Sequence, residues 1–153
     1  MTRYAERTSV SPDRSEAEIR GLAKRYNVAG FVTGWYGPTH RVEFELSGRR
    51  LRFTLTIPPQ DTRTTKVAYD QDVRRRWRLL VLKIKATFEA VLEDGESVEE
   101  AALGHIVLPN NQTVGEWSGP QIDEAYRTKR MPPLLPGAET MPVIALPGPK
   151  EPR

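Results

Sequence analysis

The amino-acid sequence predicts an α+β fold: a helix, a three-stranded antiparallel meander and a long helix, followed by short C-terminal helices and a proline-rich extended tail. Two observations support this prediction. Apolar residues recur every three or four positions near residues 12–26 and again over 70–93. Between these stretches, three segments alternate apolar and polar residues. The 153 residues suffice for one domain, expected at 1–130, with its core at 12–93 and a helical addition at 96–130.

The first helix is predicted over residues 12–26. Ser11 can cap its N-terminus, and Pro12 suits the first helical position because the N–H that proline lacks would have no partner there. The apolar residues of this stretch share one helical face: Ile19, Leu22, Ala23 and Tyr26.

Three strands are predicted in GFVTGWY, THRVEFELS and RLRFTLTI, each with one apolar face. A two-residue loop at 37–38 pairs Trp35 with His40 and Thr33 with Val42. This register keeps the apolar residues of both strands on the same side of the sheet.

The second hairpin is predicted to turn at 48–49, which sets Leu46 opposite Leu51 and Phe44 opposite Phe53. A slip of one residue would turn the apolar face of a strand toward solvent. The agreement of both loops with the apolar pattern therefore favours a meander with one buried face.

The long helix is predicted over 70–93, after a polar loop that begins with two prolines. Its apolar residues form one stripe, expected to cover the sheet: Val73, Trp77, Leu80, Ile84, Phe88 and Val91. Leu79 and Leu82 point away from this stripe, so we expect the C-terminal segment or a partner to cover a second surface of the helix.

Two capping boxes follow, Ser97 with Glu100 and Thr113 with Glu116, and each predicts a helix start. A small hairpin is expected around 110–111. The helix after the second box is expected to bury Trp117, Ile122 and Tyr126. Seven of the 23 residues in 131–153 are proline, which predicts an extended tail.

Several chemistries are excluded by composition. The chain has no cysteine, so it cannot form disulfides or thiolate metal sites. Its two histidines are His40, expected as a buried structural residue, and His105, which nothing marks as a catalytic base. No G-x-S-x-G, H-E-x-x-H or phosphate-binding glycine loop is present. We therefore expect no enzymatic activity, no cofactor and no metal.

The absence of cysteine suits a cytoplasmic protein. No apolar run approaches the roughly 18 residues of a membrane helix, and the first ten residues lack the apolar core of a signal peptide. The formal charge is +3, so the distribution of basic residues matters more than their sum.

A basic cluster, RRRWR at 74–78, stands near the predicted start of the long helix. Arg74, Arg78 and Lys85 share one flank of this helix, and Arg75 lies just beyond it. Arginine does not complement the dipole of a helix start, and contact with an anion would relieve that conflict. The alternative is internal pairing with Asp70, Asp72 and the acidic residues at 93–100.

The stretch GPTHRVEF resembles the G-P-x-H-x-x-x-F loop of double-stranded RNA-binding domains, and RRRWR stands where that family places its lysine cluster. The similarity covers residues 12–93, with the same order of elements. It implies recognition of a duplex by shape, with the first loop as a second contact.

A broader resemblance covers about residues 3–137. The stretches EAEIRGLAKRY, RRWRLLVLKIKATFEAV, TVGEW and MPPLLPG are similar to a family of small proteins of actinobacterial phages and prophages. The resemblance implies a phage origin rather than a mechanism, because the family has no established activity. Small phage proteins of this kind often serve in DNA metabolism or inhibit host defence.

These observations favour a nucleic-acid-binding protein of phage origin. Its expected contacts are Arg74, Arg75, Arg78, Lys85, Gly37, Thr39, His40 and Arg41. The alternative is an adaptor, or an inhibitor of a host defence protein, which binds its partner through Leu79, Leu82 or the tail at 131–153. A third possibility is a homo-oligomer built on the same two leucines.

Overall fold

The computed structural model describes residues 3–131 and confirms the predicted α+β fold. The elements in order are α1 Pro12–Arg25, β1 Ala29–Tyr36, β2 Thr39–Leu46, β3 Arg49–Thr56, α2 Lys66–Phe88, α3 Val98–Ala102 and α4 Val114–Thr128. A π-helical turn, Glu89–Glu93, follows α2, and a 3-10 turn, Leu103–His105, follows α3. Except for Met131, the predicted extended tail lies outside the described residues.

Helix α1 begins where the sequence predicts. The Oγ of Ser11 accepts a hydrogen bond from the N–H of Arg14 at 3.3 Å, and Pro12 is the first helical residue. The stripe expected to face the core is buried at Ile19 and Leu22, and Tyr26 packs against the core from its edge.

The three strands form one antiparallel sheet in the order β1-β2-β3. The register of the first hairpin is confirmed, because Trp35 lies opposite His40 and Thr33 opposite Val42. An irregularity between Ala29 and Val32 shifts the pairing farther along β1.

The second hairpin turns one residue earlier than predicted. Leu46 pairs with Arg49, so the loop is Ser47-Gly48, with φ of 48° and 75°. Two consecutive left-handed residues are typical of a type I′ turn, which fits the twist of antiparallel strands. Phe44 consequently lies opposite Leu51. A displacement of two positions preserves the faces, so the predicted core is still correct.

Helix α2 starts at Lys66, four residues before the predicted start, because Thr65 caps it by accepting a hydrogen bond from the N–H of Ala68 at 3.2 Å. Its predicted apolar stripe is confirmed. Trp77, Leu80, Ile84, Phe88 and Val91 are buried with the inner face of the sheet, and Val73 packs against them.

The chain after α2 returns to the edge of the sheet. Both predicted capping boxes form, at Ser97 with Glu100 and at Thr113 with Glu116. The small hairpin is confirmed by the bridge between Val107 and Thr113. Ile106 forms a second bridge with Leu51, so this segment lies beside β3.

The described part of the chain divides into two compact units after Glu116. The expected burial of α4 is wrong for Ile122 and Tyr126, whose exposed fractions are 48% and 75%. In the described part of the chain, no helix combines the length and the apolar character required to span a membrane.

Candidate binding surfaces

The basic cluster lies in the middle of α2. Arg74 follows Lys66 by eight residues, which is more than two helical turns. The free N–H groups of a helix lie in its first turn, so they are not available to an anion held by this cluster. The prediction of a basic helix start, and of a conflict with the helix dipole there, is therefore wrong.

Asp72 holds two arginines of the cluster. Its carboxylate oxygens lie 2.7 Å from Nη2 of Arg75 and 2.6 Å from Nε of Arg76. Partial burial opposes ionisation of Asp72, but hydrogen bonds from Arg76 and Arg75 outweigh this effect and set its pKa below the ordinary value. Internal pairing, the alternative considered for the cluster, therefore accounts for both arginines.

Arg78 links α2 to α1 through an ion pair. Its Nη1 lies 2.5 Å from Oε2 of Glu18, and only 18% of its side chain is exposed. On the same flank of α2, the side-chain amide of Gln71 donates to the carbonyl groups of Glu6 and Thr8 at 3.0 and 2.9 Å. The chain before α1 therefore packs against the flank that was predicted to contact phosphate.

Arg74 and Lys85 remain as candidate phosphate contacts from this cluster. Neither forms an ion pair with another residue in the described range 3–131. Arg74 is half-buried and Lys85 is exposed. Two cations of the predicted four are thus available.

The loop between β1 and β2 does not complete a phosphate site with them. Gly37 occupies the left-handed region with φ of 56°, and Thr39 lies 3.4 Å from Thr56 through their hydroxyl groups. Arg41 is exposed on the face of the sheet opposite α2, because its neighbour Val42 is buried under the helices. The structure therefore does not bring Arg41 and the α2 cluster to one surface.

His40 is a structural residue, as its position on the inner face suggests. It is buried, its Nε2 lies 2.9 Å from Oγ1 of Thr33, and its ring packs edge-on against Trp77 at 4.6 Å between centroids. Burial lowers its pKa, so the imidazole is neutral at pH 7. It is not placed to contact a phosphate.

A buried cation lies on the face of β3 opposite its apolar residues. Arg52 is only 4% exposed. Its guanidinium donates to Oε1 of Glu43 and to two oxygens of Asn111, the carbonyl at 2.9 Å and Oδ1 at 2.8 Å. The predicted hairpin at 110–111 is the covering element, but nothing in its local sequence shows that it folds over Arg52.

The edge of β3 is half occupied by the chain itself. The N–H of Val107 donates to the carbonyl of Arg50 at 2.7 Å, and Nδ1 of His105 lies 3.1 Å from the carbonyl of Arg52. Alternate residues of a strand direct their backbone groups to the same side. Thr54 and Thr56 therefore direct their N–H and C=O groups to this same edge, beyond the segment that covers its first half.

A groove of about 330 Å³ separates this open half of the edge from α2. Its lining includes Thr54, Thr56, Arg76, Leu79, Lys83 and His105. Leu79, which the sequence places off the apolar stripe, is half-buried here, while Leu82 is 40% exposed. We call this feature the β3 groove.

The charges around the β3 groove are unequal. Arg76 is held by Asp72, and Lys83 has no ion-pair partner among residues 3–131. Burial, as the largest effect, lowers the pKa of His105, so this residue adds no charge at pH 7. Lys83 is therefore the cation that the groove offers to a ligand.

Metal chemistry has no visible site in the described residues, where no three acidic or histidine side chains are grouped to hold an ion. Within the acidic stretch, Glu99 pairs with Arg49 at 2.8 Å and Glu100 caps α3. No protein-family model matches the chain, and comparisons with curated proteins and with solved structures find no match either. The phage-family and RNA-binding-domain resemblances accordingly stay predictions.

Proposed function

We propose that the protein is a non-enzymatic protein-binding module that captures an extended peptide in the β3 groove. The observation that carries this proposal is the half-open edge of β3. The chain itself forms an isolated bridge at Leu51 and hydrogen-bonds the carbonyl groups of Arg50 and Arg52, which supports the proposal that this edge accepts a further strand. A peptide could continue that pairing on the backbone groups of Thr54 and Thr56.

The side chains of the groove specify the kind of peptide. Leu79 offers an apolar contact, and Lys83 offers a cation that forms no ion pair with the described residues 3–131. Side chains of a bound strand alternate between two faces, so one set can meet α2 while the other faces solvent. The proposed ligand is an extended segment that carries an apolar residue and an acidic residue.

The setting of this interaction is also a proposal. Similarity to small actinobacterial phage proteins supports a search for the partner among host and phage proteins, including host defence proteins. The lack of cysteine suits a reducing compartment, such as the cytoplasm of a host cell.

The test is selection from a library of random twelve-residue peptides, followed by fluorescence anisotropy with the enriched peptides. Thr54→Pro removes an N–H that faces the groove while leaving the pairing with β2 intact. Thr54→Ala is the matched control, since it loses the same side chain and keeps the N–H. Enriched peptides should bind Thr54→Ala like the unaltered protein and Thr54→Pro at least about tenfold more weakly, a loss of about 1.4 kcal/mol.

Lys83 tests the charge preference. Lys83→Glu should weaken binding of acidic peptides about fivefold, since an exposed ion pair contributes up to about 1 kcal/mol.

Equal binding by the Thr54→Pro and Thr54→Ala variants, or failure to enrich any peptide, would refute the proposed function.

Nucleic-acid binding is the second candidate, and the unpaired cations Arg74 and Lys85 favour it. The test is a mobility-shift assay with single- and double-stranded DNA and RNA at two salt concentrations. If both side chains contact phosphate, alanine at both positions should reduce the slope of log affinity against log salt concentration by roughly the contribution of two phosphate contacts. Arg75→Ala is the control, because Asp72 already holds that arginine. A salt dependence that the double variant leaves unchanged excludes this candidate.

A further inference from the structure

The other edge of the sheet, β1, has an unusual composition. Its eight residues, AGFVTGWY, include no charge and no proline. The exposed fractions of Val32, Trp35 and Tyr36 are 64%, 76% and 89%. Exposed edge strands are ordinarily protected from pairing by lysine or proline, and β1 has neither.

No strand among residues 3–131 pairs with β1 on the side away from β2. The second hairpin also has a two-residue loop. Arg49, next to that loop, directs its backbone groups to β2, and Arg50, the following residue, directs its backbone groups away from β2. Tyr36 and Thr39 occupy the same positions beside the loop of the first hairpin. By this parity, Thr33 and Trp35 direct their backbone groups to the open edge.

We propose that a second copy of this chain pairs with β1 in antiparallel fashion, which joins two sheets into one of six strands. Residues close to a two-fold axis lie near their own counterparts in the second copy, so a charge at the centre of the strand would meet the same charge. An uncharged strand avoids that repulsion. The edge of β3, with Arg50 and Arg52, lacks this property.

The sequence of β1 also fits a particular register, with the two-fold axis at Gly34. Thr33 then lies opposite Trp35 of the second copy, and these are the residues whose backbone groups face outward. On the other face, Val32 lies opposite Tyr36 of the second copy. Pairs of a β-branched and an aromatic residue stabilise antiparallel strands, and this pair occurs twice across the axis.

Gly34 provides a direct test of this register. A Cβ built at Gly34 meets no atom within 4 Å, so a larger residue is compatible with the fold of one chain. Across the axis, Gly34→Lys would set two ammonium groups against each other, and Gly34→Glu would do the same with two carboxylates. An equimolar mixture of the two variants would instead pair opposite charges. Gly21→Lys, at an equally open position on α1, is the control for an added charge.

The measurement is sedimentation velocity on the full chain over a range of concentrations. The unaltered protein and Gly21→Lys should reach twice the monomer mass of 17.3 kDa, whereas Gly34→Lys and Gly34→Glu should each stay at the monomer mass. Mixing the two variants should restore the dimer, which also shows that both are folded. An unaltered protein that stays monomeric at every concentration, or a Gly34→Lys variant that still dimerises, would overturn the proposal.

Discussion

Asn111 supplies two of the three acceptors around the buried guanidinium of Arg52, so a change at this residue tests how β3 holds the chain that follows α3. The φ of Asn111 is 66°, in the left-handed region that glycine adopts without strain. Asn111→Gly therefore removes Oδ1 and leaves the backbone conformation and its carbonyl in place.

Asn111→Gly loses two hydrogen bonds to Oδ1, one from the buried Arg52 at 2.8 Å and one from the exposed Arg50. The bond to the buried guanidinium of Arg52 sets the magnitude. A hydrogen bond to a charged group contributes about 1.5–3 kcal/mol, and easier adoption of the left-handed conformation offsets part of this loss. The free energy of unfolding should fall by about 1–2 kcal/mol, which corresponds to a melting temperature lower by about 2–8 °C for a chain of this size.

Urea denaturation followed by circular dichroism measures this change. Asn110→Gly is the matched control, because within residues 3–131 the side chain of Asn110 bonds to Gln112 of its own turn. Equal stability of the Asn111→Gly variant and the unaltered protein would show that the Asn111 side chain does not stabilise the buried cation.

Three further predictions concern pH, backbone conformation and the tail. Burial lowers the folded-state pKa of His40 and His105, so the unfolded chain binds more protons than the folded chain as pH falls. The free energy of unfolding should keep its full value above the unfolded pKa of about 6.5 and fall as pH drops through the folded pKa values. The His105→Gln variant should lose less of this free energy over the same pH range. Gly48→Ala should destabilise the protein by about 1 kcal/mol in thermal denaturation because its φ is 75°, whereas Gly21→Ala, within α1, should stabilise it by about 0.5–1 kcal/mol. Deletion of residues 132–153 should leave peptide affinity of the β3 groove unchanged in the anisotropy assay, and a loss of binding would assign the partner to the tail.

The sequence predicted which residues face the core more accurately than it predicted their partners. Apolar alternation determines the face of a strand but not a displacement by two positions. The turn at 47–48 was therefore misplaced by one residue, although Phe44 and Phe53 are buried as expected. The early start of α2 was missed because Thr65 and the four residues after it carry a capping signal without a clear apolar stripe.

The binding surfaces were less predictable because they depend on contacts between distant parts of the chain. The pairing of Asp72 with Arg75 and Arg76 joins residues three and four positions apart, so the sequence indicates it as an alternative. In contrast, Glu18 lies 60 residues before Arg78, and no periodicity relates the two. The half-open edge of β3 results from the return of 105–107 to the sheet, which neither segment reveals alone.

The segment at 105–107 also limits the length of any strand that binds beside it. A short ligand can occupy the edge at Thr54 and Thr56 without disturbing the protein. A longer one must displace the Val107 and His105 hydrogen bonds, and its observed affinity falls by the free energy of releasing that segment. Loosening the segment, as Asn111→Gly should do, would then weaken the fold and strengthen binding of long ligands at once.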